Sequence, residues 1–304
     1  MLNFNINPHG FIPFFCGIIV VILGIFVLKK NIKSKINLSY SFLCFVASIW
    51  MIFYGLSYFL NKETILLEYL FKIGYSGVIF IPIVWVQFII YFLRLDKKEK
   101  FIPLIYFIGF IFLLLLWKTQ YFMNGLYKYF WGYYPRASIV SHPFFLLFYS
   151  LLWTFGMFLL LEQYRKEDSP IRRNHIKYTI FSLFVVAFGL GDFIPNYGIE
   201  FYPLAPIWAF ISISFFTYGI FRYGLLEIKV AISRLVIFII VYGFVLGFPF
   251  WFGIVSGNWL LSTVFMAILA TLGPFLYSRV RYRVEERILK EEHHMHEVLM
   301  QAST

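Results

Sequence analysis

The chain has 304 residues, 61% of them hydrophobic, 23% aromatic and only 13% charged, with a mean hydropathy of +0.78 and a formal net charge of +11. An ordinary soluble domain carries about 25% charged residues, so this composition excludes a soluble enzyme. The abundance of aromatic side chains excludes disorder, and two cysteines are too few for a disulfide scaffold.

A lipid solvent sets the length of the elements. A hydrocarbon core about 30 Å thick needs roughly 20 mostly apolar residues per helix. Nine such runs are predicted, at 10–28, 38–60, 69–93, 101–117, 143–161, 178–195, 204–221, 235–255 and 260–277. The expected fold class is therefore an all-α integral membrane protein, a polytopic bundle of nine transmembrane helices.

The first run has no basic segment before it, and Lys29, Lys30, Lys33 and Lys35 follow it. It is not a cleavable signal peptide, and the order places the N-terminus outside. Nine crossings then put the C-terminus in the cytoplasm. Of the 26 Lys and Arg residues, 21 fall in the segments so assigned to the inside. Lys62, Lys118, Lys128 and Arg136 fall outside, and Lys72 lies near the outer end of the third run. The net charge is thus explained by the positive-inside rule and by anionic lipid headgroups, with no nucleic-acid partner implied. Cys16 and Cys44 both fall within predicted helices, where neither a disulfide nor a metal site is expected.

In the third run Glu68 precedes Lys72 by four residues, the favoured order for an intrahelical ion pair; the alternative is a place in the wall of an outer cavity. The one long loop, 118–142, is outside and rich in aromatics, among them Tyr127, Trp131, Tyr133 and Tyr134. Tyr and Trp favour the headgroup level, so an interfacial belt is one reading and a lid over an outward-facing pocket the other. His175, with Arg172, Arg173 and Lys177, is placed in a cytoplasmic loop facing lipid phosphates.

Asp192 is the most informative ionisable residue. It lies 14 residues from the cytoplasmic end of the sixth run, about 20 Å along a helix axis, so it sits toward the outer leaflet. Gly189 and Gly191 beside it leave room for a neighbouring helix, and Pro195 ends the run. Intramembrane carboxylates default to a functional reading: this one binds a cation or an amine, takes up a proton, or reaches water or an internal partner as a structural residue.

After residue 277 charges alternate, and Val280, Val284, Ile288, Met295 and Val298 recur at helical spacing. A helix continuing into the cytoplasm and pairing with a partner helix is expected. The pattern runs to Thr304 without a cap, so a further domain is expected to follow. His293, His294 and His296 match neither a phosphoacceptor motif nor the two-histidine zinc helix, and a solvated face explains them. With no phosphate loop, nucleophile elbow or paired carboxylates, no catalytic residue, cofactor or metal is predicted.

The stretch 192–228, DFIPNYGIEFYPLAPIWAFISISFFTYGIFRYGLLEI, resembles the end of the seven-transmembrane N-terminal sensor region of bacterial histidine kinases. The elements that carry the resemblance are Asp192, Pro195, Tyr197 and Gly198, then Tyr202 and Pro203, then Tyr218, Ile220, Tyr223, Leu225, Leu226 and Ile228. It extends over approximately residues 10 to 228. The resemblance implies a sensor region over 1–228, an additional membrane helix pair over 229–277, and a signalling linker over 278–304. It also implies a bacterial cytoplasmic membrane, homodimerisation, and a cytoplasmic kinase or GAF-type output domain, which this sequence does not contain.

The expected function is a sensory input module of a two-component system. Asp192, Glu68, Lys72 and Tyr197 are candidates for sensing the signal, with Tyr127, Trp131 and Tyr133 as candidates for an outer pocket. Val280, Val284 and Ile288 are candidates for transmitting it. The alternative is a small-molecule transporter, which calls for internal repeats and midplane polar sites that this sequence lacks.

Overall fold

In lipid an apolar run has only the helix, or a closed barrel, in which to satisfy its backbone, and helices dominate the computed structural model. It describes residues 7–60, 65–221, 237–238, 241–245, 247–250, 252–253, 257 and 259–301, and divides into two units, Met1–Phe216 and Thr217–Thr304. The helices of the first unit are α1 (Phe11–Lys30), α2 (Lys35–Tyr58), α3 (Ile65–Phe92), α4 (Ile102–Lys118), α5 (His142–Lys166) and α6 (Pro170–Ala187). Helix α7 (Ala205–Phe221) leads out of it. Seven of the described helical segments are long and apolar enough to cross a membrane, and Ala205–Thr217 is a shorter apolar one. Within the predicted run 235–255, Val241–Phe250 is a further shorter apolar helix.

Helix α3 is the centre of the first unit, with 72% of its most apolar window buried against 22% for α4. It packs on α2, α4 and α5, and α2 packs in turn on α1. Close approach is achieved with glycine: a Cβ on Gly77 of α3 would strike the Val46 carbonyl of α2, and one on Gly24 of α1 would lie 2.7 Å from the Cys44 Cβ. Such small residues let membrane helices meet backbone to backbone. Pro82 stands inside α3, where it leaves the Val78 carbonyl without its helical donor. The outward faces of α4 and α5 carry exposed Phe107, Phe110, Phe144 and Phe158, as surfaces facing lipid tails require.

Three sequence expectations change. The outer segment expected as an irregular loop contains a β-hairpin, β1 (Met123–Tyr129) and β2 (Gly132–Ala137), with Tyr127 opposite Tyr134 and Tyr129 opposite Gly132. Gly132 takes a φ of 135° at the turn, which a side chain would resist. Cross-strand aromatic pairs hold such a ribbon only when it has a surface to dock on. The run 178–195 is not one α-helix: α6 ends at Ala187 and the chain continues as 3-10 turns over Phe188–Phe193 and Pro195–Tyr197. Two glycines in four residues withdraw helix propensity there, ahead of Pro195. At the opposite end α6 begins at Pro170, capped by Ser169, so Arg172, Arg173, His175 and Lys177 lie on a helix and not in a loop.

In the second unit, α8 (Trp259–Gln301) is a single helix of 43 residues that includes the apolar segment Leu260–Val284 and continues past it.

Candidate functional site

The polar groups of the first unit gather where the hairpin meets the 3-10 turns. Tyr134 of β2 donates to the Asp192 carbonyl at 2.8 Å, and Tyr129 of β1 donates to the Pro195 carbonyl at 2.7 Å. Trp131 is fully buried, stacked on Tyr129 at 4.5 Å, and its carbonyl accepts from the Asn7 side chain at 2.7 Å. The N-terminal segment is fastened again by His9, 2.8 Å from the Tyr202 hydroxyl. The hairpin is thus docked by side chains whose hydroxyls donate to carbonyls of a tight turn, the Pro195 carbonyl also accepting the Gly198 N–H at 3.2 Å.

Burial, reinforced by the Asp192 carboxylate, pushes the Tyr134 phenol well above its ordinary range. The proton that makes the bond to Asp192 therefore stays in place. Because the folded value lies above the unfolded one, about 10, this contact contributes fully below that pH and is lost as pH rises through the folded value. The melting temperature of the purified protein is expected to fall more steeply above about pH 10 than that of Tyr134→Phe; parallel curves would contradict this role.

Asp192 is 7% exposed. Its Oδ1 accepts the backbone N–H of Leu204 at 2.9 Å and of Ala205 at 3.0 Å, the orphan donors at the start of α7. Among the described residues its Oδ2 has no hydrogen-bond partner and the carboxylate has no ion-pair partner. Gly191 and Gly189 allow the close approach this needs, since a Cβ on them would lie 2.9 Å from the Phe201 ring and 3.0 Å from the Ala205 Cβ.

Beside Asp192 runs a second chain of polar groups. Tyr75 of α3 lies 2.6 Å from His142 Nε2, Tyr197 lies 2.8 Å from His142 Nδ1, and Asn196 Nδ2 donates to the Tyr75 hydroxyl at 3.1 Å. A neutral imidazole donates at one nitrogen and accepts at the other, so His142 can serve both hydroxyls without a charge. His142 is 1% exposed and Asn196 also 1%.

Below these groups the bundle encloses a cavity of about 90 Å³, against roughly 10–15 Å³ needed for one water. Its walls are Trp50 and Tyr54 of α2, Tyr75, Val78, Pro82 and Trp85 of α3, Tyr149 and Trp153 of α5, and Ala209 and Phe216 of α7; Tyr134, Asp192 and Asn196 close one end. Three buried atoms of these residues have no hydrogen-bond partner: Trp85 Nε1, Trp153 Nε1 and Asn196 Oδ1. A second pocket, lined by His9, Tyr58 and Tyr202, shares Asp192 and Tyr54 with the first.

A family model described as the N-terminal 7TM region of histidine kinase matches residues 12–229. The chain belongs to this family. No curated protein matches the sequence. As a histidine kinase 7TM sensor region, the chain is a multi-pass membrane protein whose family pairs a sensory module with a cytoplasmic kinase output.

The motif that carried the resemblance now has physical roles in this sensor region. Asp192 holds the start of α7, Tyr197 holds His142, and Tyr202 holds His9. Gly198 adopts a φ of +86°, and a Cβ there would press on the Tyr127 ring at 3.3 Å. Tyr223, Leu225, Leu226 and Ile228 lie outside the described residues, as do the side chains of Tyr218, Ile220 and Ile288.

Of the residues singled out from sequence, Asp192 lines the cavity and Tyr197 does not; Tyr197 is bonded to His142, which is bonded in turn to Tyr75 of the wall. Tyr127, Trp131 and Tyr133 do not line it; their neighbour Tyr134 does. Glu68 and Lys72 are half-buried on α3, form no ion pair with each other, and do not line it. Val280 is exposed and Val284 half-exposed on α8. Sequence reasoning missed His142, Asn196, Trp85 and Trp153. The His-Pro step at 142–143 was a usable signal for the first, since Pro marks a helix start and places the preceding His at its mouth.

Proposed function

We propose that this chain is the signal-receiving part of a bacterial two-component protein, with the site around Asp192 on the outer side of the cytoplasmic membrane. The family match over residues 12–229 carries this reading. The N-terminus is outside, nine helices cross the bilayer, and the C-terminus is cytoplasmic, as the distribution of basic residues supports. The sensor region spans 1–228, a helix pair follows over 229–277, and 278–304 is a linker in which Val280, Val284 and Ile288 form the seam of a homodimer and pass the signal to the output domain.

Physically, a signal acts by favouring one arrangement of the bundle over another. Small shifts of the linker helix then re-register its partner.

The test joins a histidine kinase catalytic region after Thr304 and follows autophosphorylation in membrane vesicles. Asp192→Asn, Tyr134→Phe and His142→Leu are expected to change the rate, by about fivefold for the strongest. Identical rates for all three would contradict a sensory role. In the same fused chain, single cysteines at Val284 and Ile288 are expected to crosslink copies; monomer at both positions would remove the dimer.

A further inference from the structure

We propose that the cavity beneath Asp192 binds a small organic cation, an amine whose ammonium group rests against Asp192 and Asn196 among aromatic faces. The proposal names the chemical class of the signal and takes its physiological meaning from the sensory reading above.

Four observations converge on it. Asp192 is 7% exposed, spends one oxygen on the backbone of α7, and leaves the other without a protein partner. Asn196, 1% exposed, turns its amide nitrogen to Tyr75 and leaves Oδ1 unpartnered at the same end of the cavity. Both atoms are acceptors, and Asn196 Oδ1 is buried without a donor, which is costly, so this end of the cavity calls for N–H groups from an occupant.

The walls supply the third observation. Trp50, Tyr54, Tyr75 and Tyr134 are among the residues that line the cavity, and aromatic rings attract cations electrostatically. The fourth is the sorting of polarity along the cavity. The unpartnered donors, Trp85 Nε1 and Trp153 Nε1, belong to other wall residues; Trp85 stands ten residues beyond Tyr75 on α3, about 15 Å along the helix. Acceptors near Asp192 and donors deeper in the bundle select an elongated molecule with a cationic head, an apolar body and an acceptor such as a hydroxyl or carbonyl at its tail. Asp192 and Tyr54 also line the small second pocket on the side of His9 and Tyr202, with a volume of about 10 Å³.

The experiment uses the full chain in lipid nanodiscs and equilibrium binding of radiolabelled tryptamine, phenethylamine and tetramethylammonium, with tryptophol as the uncharged counterpart of tryptamine. Saturable binding of at least one cation is expected, with tryptophol about tenfold weaker than tryptamine or more. Asp192→Asn keeps an oxygen for the two backbone N–H groups and is expected to weaken cation binding by about tenfold or more while the protein still melts cooperatively. Ala209→Phe, which fills the cavity without touching a polar group, is expected to abolish it. No saturable binding of any cation up to about 10 mM, or tryptophol binding as tightly as tryptamine, would overturn the proposal. So would full affinity in both variants.

Those outcomes leave the kinase-fusion result standing. Intact cation binding with an unresponsive fusion would remove the sensory reading and keep the site.

Discussion

Asp192→Leu is expected to destabilise the sensor region by about 2–4 kcal/mol, and Asp192→Asn by less than about 1. The reason lies in two backbone donors. The Ala205 N–H is buried and the Leu204 N–H partly so, and both point at the same carboxylate oxygen. Leucine leaves them without an acceptor at the first turn of α7, in a medium with no water to replace it. Asparagine presents an oxygen at the same place and changes only the charge. Equilibrium unfolding in mixed micelles separates the two substitutions; equal losses would assign the stabilisation to the charge and not to the cap.

His142→Leu is expected to cost about 2–3 kcal/mol. Its ring bridges the hydroxyls of Tyr75 on α3 and Tyr197 on the turn that follows α6, so it joins three elements through two bonds. Tyr197 is 37% exposed and can recover a partner from water, whereas Tyr75 is 2% exposed and keeps only its bond from Asn196. The double-mutant cycle of His142→Leu with Tyr75→Phe is expected to give a coupling of about 1–2 kcal/mol, within the range for groups in one network. Strict additivity would mean that the 2.6 Å contact contributes nothing to stability.

Most of the helical framework was legible because it follows from one rule, the length of apolar run that spans a bilayer. Runs one to five match α1 to α5 to within a few residues. What the rule does not register is backbone that leaves the helix within an apolar run. Between Ala187 and Tyr197 the segment stays mostly apolar apart from Asp192 and Asn196 while the hydrogen bonding changes to 3-10, and Gly189, Gly191 and Pro195 mark the change. The hairpin was hidden for a related reason. Its Tyr-rich strands have the composition of an interfacial belt, and the docking of Tyr129 and Tyr134 on carbonyls some 60 residues later leaves no local pattern.

Asp192 was singled out for its cost in lipid, and the structure gives it an internal role: one oxygen caps α7. The Glu68 and Lys72 spacing suited an ion pair that the structure does not form, since sequence order shows only that two side chains are within reach. His142 and Asn196 escaped notice because a neutral polar residue near a helix end carries no hydropathy signal. Their partners come from distant elements.

Pro82 leaves a rung missing within the 28 residues of α3, since the carbonyl of Val78 has no amide above it to hold. On one side of the missing rung stands Tyr75, and with it the His142 and Asn196 network; on the other stands Trp85. Val78 and Pro82 themselves face the cavity. A molecule bound in that space would press on the central helix at the one place where its backbone ladder is a hydrogen bond short.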